Sequence, residues 1–360
     1  MPVYKEKNGT YTARFYVETI SGKRKQEKKR GFKTSRDAKK YEADFLIKKA
    51  CTTEMSFADL YEVYIEDMTH RLKQNTILTK KTIIEVKILP YFVKRKVRDI
   101  TPVMIREWQN EMMKQTKENG EKYAKTYLRT LNNQFSAVMN YAVKYHGLRV
   151  NPFTKAGNIG NRNADEMYIW TVAEFETFIK AVDKPISKMA FKVLFWTGMR
   201  IGELLALTYK DILIDKNKIN INKSLQRISG QNIVTEPKTQ RSKRQVDISD
   251  ELLEEIKEYI SKFYHCEKET RLFPFMKYTF ERDIKYYADK AGVKRIRVHD
   301  LRHSHASLLL HAGIDVITVS RRLGHENIET TLKTYSHIYD QSGKKVQDLL
   351  NNIHIERKNI

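Results

Sequence analysis

Residues 320–337 read SRRLGHENIETTLKTYSH, and this stretch predicts a helix, a sharp stop and a second helix. Gly324 is of the residue type that most often ends a helix in a left-handed turn. Such a turn would place His325 just past the first helix, and Tyr335 would lie toward the far end of the second. The chain contains 20 tyrosines, so Tyr335 gains significance only from the residues around it.

An arginine between two glycines precedes this stretch. Residues 197–203 read TGMRIGE and interrupt an apolar helical pattern that runs over 188–207. The glycines predict a bend that brings Arg200 out of a packed region, with Glu203 close enough to orient it. Taken alone, an arginine and a glutamate three residues apart are more often a plain pair on a helix surface.

A third segment, residues 299–311, reads HDLRHSHASLLLH and predicts a helix with a defined start. His299 and Arg302 are three residues apart and therefore share a face. A metal site is the competing interpretation. It is weak because the segment lacks a glutamate in an H-E-x-x-H frame and has no nearby cysteine. The histidines that such a site would use are His299, His303, His305 and His311.

A basic turn lies between two predicted strands at 218–221 and 245–248. Residues 236–244 read EPKTQRSKR, and Lys238 at the tip of this hairpin could deliver a proton to a leaving oxygen. Lys243 or Arg244 could occupy the tip instead. A basic loop that only contacts solvent explains these residues equally well when they are taken alone.

One reaction uses this whole inventory. Transfer of a phosphodiester needs two guanidinium groups for the non-bridging oxygens and groups that move protons at the attacking and leaving oxygens. A tyrosine nucleophile forms a phosphotyrosyl bond that a free DNA hydroxyl can reverse. Neither a metal nor another cofactor is required, and the sequence predicts none.

The four motifs resemble those of the tyrosine recombinase family, especially integrases of temperate phages and conjugative transposons of Gram-positive bacteria. The resemblance spans residues 170–340, with the motifs in the family's order. It implies that Tyr335 attacks the scissile phosphate to give a 3′-phosphotyrosyl link and a free 5′-hydroxyl. The roles that it implies are phosphate binding by Arg200 and Arg302, assistance by His299 and His325, receipt of the tyrosine proton by His299, protonation of the leaving oxygen by Lys238 and orientation by Glu203.

The composition agrees with a polyanionic partner. The chain has 67 Lys and Arg against 44 Asp and Glu, a net charge of +23, and no apolar run long enough for a membrane span. The only cysteines, Cys51 and Cys266, suit a reducing compartment. We therefore expect a protein of the bacterial cytoplasm, associated with the nucleoid.

The sequence predicts a multidomain fold. Residues 1–55 alternate at the strand period before a helix at 36–49, which indicates a small β-sheet plus helix. They carry 15 Lys and Arg against 7 Asp and Glu, which favours DNA binding over a merely solubilising basic tail. The family resemblance described above implies that this segment is an arm-type DNA-binding domain. Candidate contacts to DNA, here and further along the chain, are Arg14, Lys23, Arg24, Lys25, Lys28, Lys80, Lys81 and Arg244.

Four further segments complete the predicted organisation. Residues 56–150 show helical periodicity and resemble an all-α core-binding domain, with one helix expected over 79–90. Residues 151–168 resemble a linker, 169–340 a mixed α+β catalytic domain, and 341–360 a helical tail. The tail could pack on its own domain or, as the resemblance implies, on a neighbouring subunit.

The family resemblance also implies partners. These are double-stranded DNA with core and arm attachment sites, a homotetramer on that DNA, and possible excisionase and DNA-bending accessory proteins. Two rival functions remain at this stage. One is a topoisomerase that cuts and reseals through tyrosine, and the other is a DNA-binding regulator that kept the fold without catalysis.

Overall fold

The computed structural model describes residues 3–6, 9–18, 24–50, 54–161, 168–236, 242–264 and 267–339. The chain divides into two compact units, residues 1–165 and residues 166–360. Among the described residues, none of the helices combines the length and the apolar character that crossing a bilayer requires.

The first unit begins with the predicted small sheet and helix. Strands β1 (Val3–Lys5), β2 (Tyr11–Glu18) and β3 (Arg24–Phe32) pair antiparallel in that order, and α1 (Ser35–Ala50) follows. Strand alternation puts Ala13 and Phe15 on one face, where they form a small core with Ala38 of α1. The prediction of strands and a helix here is confirmed.

Six helices form the rest of this unit: α2 (Phe57–Arg71), α3 (Gln74–Lys87), α4 (Leu89–Phe92), α5 (Pro102–Lys114), α6 (Lys125–Tyr145) and α7 (Phe153–Ala156). Their centre is the fully buried Phe135 of α6. Its ring lies 4.8–5.3 Å from four other aromatic rings, one from each of four neighbouring helices. These partners are Phe57, Phe92, Trp108 and Phe153.

Two sequence predictions for this unit are wrong in their boundaries. The helix expected over 79–90 begins at Gln74, and Pro90 lies at the start of α4 rather than at the end of α3. Residues 151–159 do not form a linker, because Phe153 and Ile159 are buried in the helical core. A helix of four residues is too short to show a period, so no pattern in the sequence indicates that this segment packs.

The second unit contains eight helices among its described residues. Thr171 and Glu174 form a capping box at the start of the first. The apolar stretch over 188–207 is two helices, as the glycines indicated. The helices are α8 (Val172–Ala181), α9 (Pro185–Thr197), α10 (Ile201–Ala206), α11 (Asp250–Ser261), α12 (Lys277–Ala291), α13 (Asp300–His311), α14 (Val316–Leu323) and α15 (Ile328–Tyr339).

Five short strands complete this unit: β4 (Ile212–Leu213), β5 (Lys218–Ile221), β6 (Ser224–Ile228), β7 (Gln231–Thr235) and β8 (Arg244–Asp247). The sheet order is β4-β5-β8, while β6 and β7 form a separate hairpin. Its turn is at Ser229 and Gly230. The prediction for Lys238 concerns the chain between β7 and β8, where the placement of that residue is not described. Residues 237–241 lie outside the described part.

Candidate active site

A sharp turn between α9 and α10 positions Arg200. Gly198 ends α9 with φ +66°, which is the left-handed region that favours glycine. A Cβ atom there would lie 2.6 Å from a ring carbon of His305 and 2.8 Å from Leu323. Conformation and crowding thus both require glycine at this position. The turn leaves Arg200 as the residue that precedes the first turn of α10.

Glu203 holds Arg200 in place. Its carboxylate accepts from the backbone N–H and from Nη1 of Arg200, both at 2.9 Å. Nη2 of Arg200 donates to the carbonyl oxygen of Gly324 at 3.3 Å, while 38 % of the arginine side chain stays exposed. Arg200 is therefore fixed in direction and still accessible to a ligand.

A second arginine, Arg244, lies beneath this pair. The sequence predicts Arg244 as a DNA contact, but the structure buries it, with only 7 % of its side chain exposed. Arg244 opens β8, and its guanidinium donates to both carboxylate oxygens of Glu203, at 2.9 and 3.2 Å. It also donates to the carbonyl oxygens of Arg322 and Ser242. It joins α14 to Glu203 and leaves little of its surface for a DNA groove.

Glu203 is thus a buried carboxylate between two arginines. Burial opposes its ionisation, but the charges and hydrogen bonds of Arg244 and Arg200 outweigh burial and hold the pKa of Glu203 below its ordinary value. The carboxylate is ionised at neutral pH. Its charge offsets part of the positive charge that Arg200 and Arg244 concentrate here.

Arg302 supplies the second guanidinium of the site. It is 3 % exposed, and Nη1 donates to the carbonyl oxygen of Gly198 at 2.8 Å. Nη2 is buried without a hydrogen-bond partner among the described residues. Burial, together with Arg200 and Arg244, lowers the pKa of Arg302 to about 9, so the group stays charged at neutral pH. A buried cation with a vacant donor is suited to an anionic ligand.

His325 follows Gly324 as the sequence predicts. Gly324 ends α14 with φ +69°, and Nδ1 of His325 lies 2.7 Å from the hydroxyl of Thr331 on α15. This contact orients the ring and leaves Nε2 available. Burial, Arg302 and Arg200 lower the pKa of His325 to about 3, so the imidazole is neutral at neutral pH.

Tyr335 lies on α15 and is 2 % exposed, packed with Ala306 of α13 and with Val319 and Leu323 of α14. Its hydroxyl oxygen lies 2.7 Å from Nδ1 of His303. Burial is the main cause that raises the pKa of Tyr335 well above its ordinary value. The phenol is therefore protonated at neutral pH.

His299 and His303 lie one turn apart at the start of α13. Their rings meet edge to face with centroids 5.0 Å apart. His299 is exposed overall, yet loss of water around its ring and the nearness of His303 and Arg302 lower its pKa to about 4. The tyrosine hydroxyl contacts His303 and not His299, which the sequence did not anticipate.

The histidines of the alternative metal site serve other contacts. Nε2 of the buried His305 accepts from Nε of Arg322 at 2.9 Å, and Nδ1 of His311 lies 2.8 Å from the carbonyl oxygen of Ser307. Within the ranges that the structure describes, no group of three or more His, Cys, Asp or Glu side chains could hold a metal ion.

Of the predicted DNA contacts in the small sheet, two have described side chains, and both lie on one face. Arg14 pairs with Lys28 across β2 and β3, on the face opposite Ala13 and Phe15. The Arg14 guanidinium lies 5.5 Å from the ring centre of the exposed Tyr4, and Lys28 is exposed. Arg24 and Lys25 are described only as backbone in β3, and Lys23 lies outside the described residues.

Lys80 and Lys81 lie on α3 of the helical part. Nζ of Lys80 donates to the hydroxyl of Tyr64 and to the side-chain oxygen of Gln134, both at 2.8 Å, so it links three helices. Lys81 is half-buried. A contact of these two lysines to DNA stays a prediction.

The structure thus gathers three of the predicted catalytic residues together with the predicted orienting residue. Arg200 is held by Glu203 and donates to the carbonyl oxygen of Gly324, the residue before His325, while Arg302 donates to the carbonyl oxygen of Gly198. The hydroxyl of Tyr335 contacts His303, the residue after Arg302, and Lys238 lies outside the described residues. The sequence did not indicate the parts played by four supporting residues, which are Arg244, His303, Arg322 and Thr331.

Family models match three parts of the chain. Residues 170–342 match the phage integrase family, residues 56–113 match the N-terminal SAM-like domain of phage integrases, and residues 2–49 match an arm DNA-binding domain. The ICEBs1 integrase of Bacillus subtilis is 31% identical over 378 aligned positions, which cover 98% of this chain and all of that protein.

Solved structures show the same fold. The integrase of the transposon Tn1549, in complex with a circular intermediate DNA, superimposes with a TM-score of 0.68 at 21% identity, over 82% of this chain and 99% of that one. A lambda integrase tetramer bound to a Holliday junction gives a TM-score of 0.56 at 17% identity, over 91% of this chain and 96% of that one.

The fold and the motifs define the class, an enzyme of the tyrosine recombinase type. Given its match to an integrase along almost its whole length, the chain belongs to the phage integrase family. It is a site-specific recombinase, and the family resemblance that the four motifs indicated is confirmed.

Proposed function

We propose that this chain cuts and rejoins DNA through a 3′-phosphotyrosyl intermediate on Tyr335, without a metal ion or ATP. The observation that carries the proposal is the buried guanidinium of Arg302, whose Nη2 has no partner among the described residues. Arg200 is nearby, oriented by Glu203 and partly exposed. A phosphodiester would fill the vacant position, and each arginine would donate to a non-bridging oxygen.

The reaction balances with the groups at hand. The Tyr335 oxygen forms a bond to phosphorus as the bond from phosphorus to the 5′-oxygen breaks, and the phenol loses its proton. The leaving 5′-oxygen gains a proton from Lys238 in this proposal. Neutral His325, held by Thr331, donates from Nε2 to a phosphate oxygen as negative charge develops there. The reverse reaction uses a DNA 5′-hydroxyl and restores the free tyrosine.

The biological role follows from the architecture. We place the basic sheet face with Arg14 and Lys28 on arm-type sites, and the helical and catalytic parts on the core site, with four subunits bound to two duplexes. Integration and excision of a mobile element in the bacterial cytoplasm, at the nucleoid, would use excisionase and DNA-bending proteins to set direction. The tetramer of lambda integrase on a Holliday junction supports this assembly.

A suicide substrate carrying the cognate core site tests the nucleophile. Wild-type protein is expected to trap a covalent adduct, Tyr335→Phe is expected to trap none, and EDTA should leave the yield unchanged. Tyr286→Phe serves as a control because Tyr286 is exposed on α12, outside the site. An adduct in Tyr335→Phe would refute the assignment.

Deleting residues 345–360 tests the assembly. The truncated chain is expected to bind a single core site as the full chain does, and to lose cooperative synapsis of two sites. The measurements are gel shifts with one and with two duplexes. Unchanged recombination would refute a role of the tail between subunits.

A further inference from the structure

His303 contacts the reacting atom of the proposed nucleophile, and neither the family motifs nor the chemistry above use it. Its Nδ1 lies 2.7 Å from the hydroxyl oxygen of Tyr335, and the two rings are 6.0 Å apart. The contact joins α13 to α15. The phenol is 2 % exposed, so water does not compete for its proton.

We propose that His303 is the general base that takes the proton of Tyr335 during DNA cleavage and returns it during ligation. This inference rests on the proposed role of Tyr335 as the nucleophile. It assigns to His303 the part that the family resemblance implies for His299, whose ring contacts His303 rather than the phenol.

The contact geometry suits His303 as the acceptor of the Tyr335 hydrogen bond. The 2.7 Å contact fits a phenol that donates to Nδ1 of His303, in the tautomer that carries the ring proton on Nε2. Burial and the nearby Arg302 and Arg297 lower the pKa of His303, while Asp300 raises it. The imidazole is thus neutral before reaction, as a base must be.

The surroundings of His303 also suit the imidazolium that forms when it accepts the proton. The buried carboxylate of Asp300 lies three residues before His303 on the same helix and favours a positive charge there. Its partner Arg297 is largely exposed, with 68 % of its side chain in solvent. A DNA phosphate bound by Arg302 would offset the charge that disfavours protonation of His303. His299, with its own pKa lowered to about 4, stays neutral beside it.

The proton balance is complete. As the tyrosine oxygen bonds to phosphorus, its proton moves to Nδ1 of His303, and the 5′-oxygen leaves with a proton from a different group. In ligation the 5′-hydroxyl loses its proton, and His303 gives the stored proton back to the tyrosine oxygen. The base and the leaving-group acid are thus separate residues, which an experiment can distinguish.

Three variants separate two functions of His303, which are to position the Tyr335 hydroxyl and to accept its proton. His303→Asn places an amide oxygen near the Nδ1 position, so it can accept the phenol hydrogen bond but cannot take up the proton. His303→Ala removes both functions. His311→Ala is the control, because this exposed histidine on the same helix contacts Ser307 and lies outside the site. Thermal melting and binding of the core site by the full chain establish that each variant is folded.

The readout is single-turnover cleavage of the suicide substrate across pH. General-base catalysis is typically worth about 10²–10⁴-fold, so we expect His303→Asn to lose about 100-fold near neutral pH. Its rate should then rise with pH where the wild-type rate is level. Equal rates and equal pH profiles for His303→Asn and wild type would overturn the proposal.

Two chemical changes, one in the protein and one in the DNA, identify which proton transfer is impaired in His303→Asn. Fluorotyrosine at position 335 has a more acidic phenol and should recover part of the His303→Asn defect. A 5′-bridging phosphorothiolate, whose sulfur leaves without a proton, should not recover it. Recovery by the phosphorothiolate would show that His303 acts on the leaving group and would overturn the proposal.

Failure of this inference differs from failure of the proposed function. If wild type traps an adduct and Tyr335→Phe does not, the nucleophile stands, and the result for His303→Asn decides the base alone. If wild type traps no adduct on its cognate site, or Tyr335→Phe traps one, the proposed function itself falls.

Discussion

The guanidinium of Arg200 donates to the carbonyl oxygen of Gly324, so the first arginine motif holds the residue directly before His325. Gly324 in turn packs on Arg244, which donates to the same carboxylate of Glu203 that orients Arg200. The contacts form a closed ring. Displacement of any one member is therefore expected to move both the phosphate-binding arginine and the histidine.

Glu203→Gln tests this ring. The substitution keeps the shape but leaves Arg200 and Arg244 without their counter-charge, and breaking a buried ion pair costs about 3–5 kcal/mol. We expect a loss of about 3 kcal/mol in the free energy of unfolding, measured with denaturant, and a large loss of cleavage. Glu269→Gln, in an exposed pair with Lys210, should change neither.

The same carboxylate predicts acid sensitivity. Because the pKa of Glu203 is lower in the folded protein than its ordinary 4.5, its contribution is fully present above that pH and is lost as pH falls through the lowered value. Denaturation of the wild type should become easier below pH 4.5. Glu203→Gln should show a smaller change over that range, and an equal change would contradict the assignment.

Gly198→Ala separates backbone strain from crowding. Gly198 and Gly292 both end helices with φ near +66°, but only the former has side-chain atoms close to its missing Cβ. A left-handed alanine costs about 1–2 kcal/mol, which is the whole loss expected for Gly292→Ala. Gly198→Ala should cost clearly more, because His305 and Leu323 must also shift. Similar losses in the two variants, measured by denaturant unfolding, would show that the crowding is relieved cheaply.

The motifs of the site were easier to predict from the sequence than the residues that hold them in place. The glycine stops at Gly198 and Gly324 are local signals, and the structure confirms both. Arg244 was misassigned because a basic residue in a basic loop gives no local sign of burial. Its partner Glu203 is 41 residues away.

The same limit explains the missed contacts of α15. Nothing near His303 distinguishes it from His305 or His311, since all three lie on one helix. Its contact with Tyr335 depends on how α13 and α15 pack, over a separation of 32 residues. The spacing of six residues between His325 and Thr331 likewise becomes a hydrogen bond only through the turn after Gly324.

Thr331→Val tests whether the ring of His325 needs its hydroxyl partner. Valine fills the same buried space but leaves Nδ1 without a bond, so the ring can rotate away from the phosphate. We expect cleavage to fall about tenfold, equivalent to about 1.4 kcal/mol in the barrier, with core-site binding retained. Thr177→Val, whose hydroxyl bonds only within α8, is the matched control. Loss of cleavage in both variants would point to a general effect of removing a threonine hydroxyl.

Lys28→Ala tests the basic face of the small sheet. Lys28 is exposed opposite Arg14, on the face away from α1, whereas Lys39 is exposed on α1 itself. Each lost phosphate contact lowers the magnitude of the log–log salt slope by about one, so Lys28→Ala should bind arm-site DNA with that smaller slope. Lys39→Ala removes the same charge and should leave the slope unchanged. Equal slopes for Lys28→Ala and wild type, measured by binding at several salt concentrations, would show that this face does not contact the backbone of the DNA.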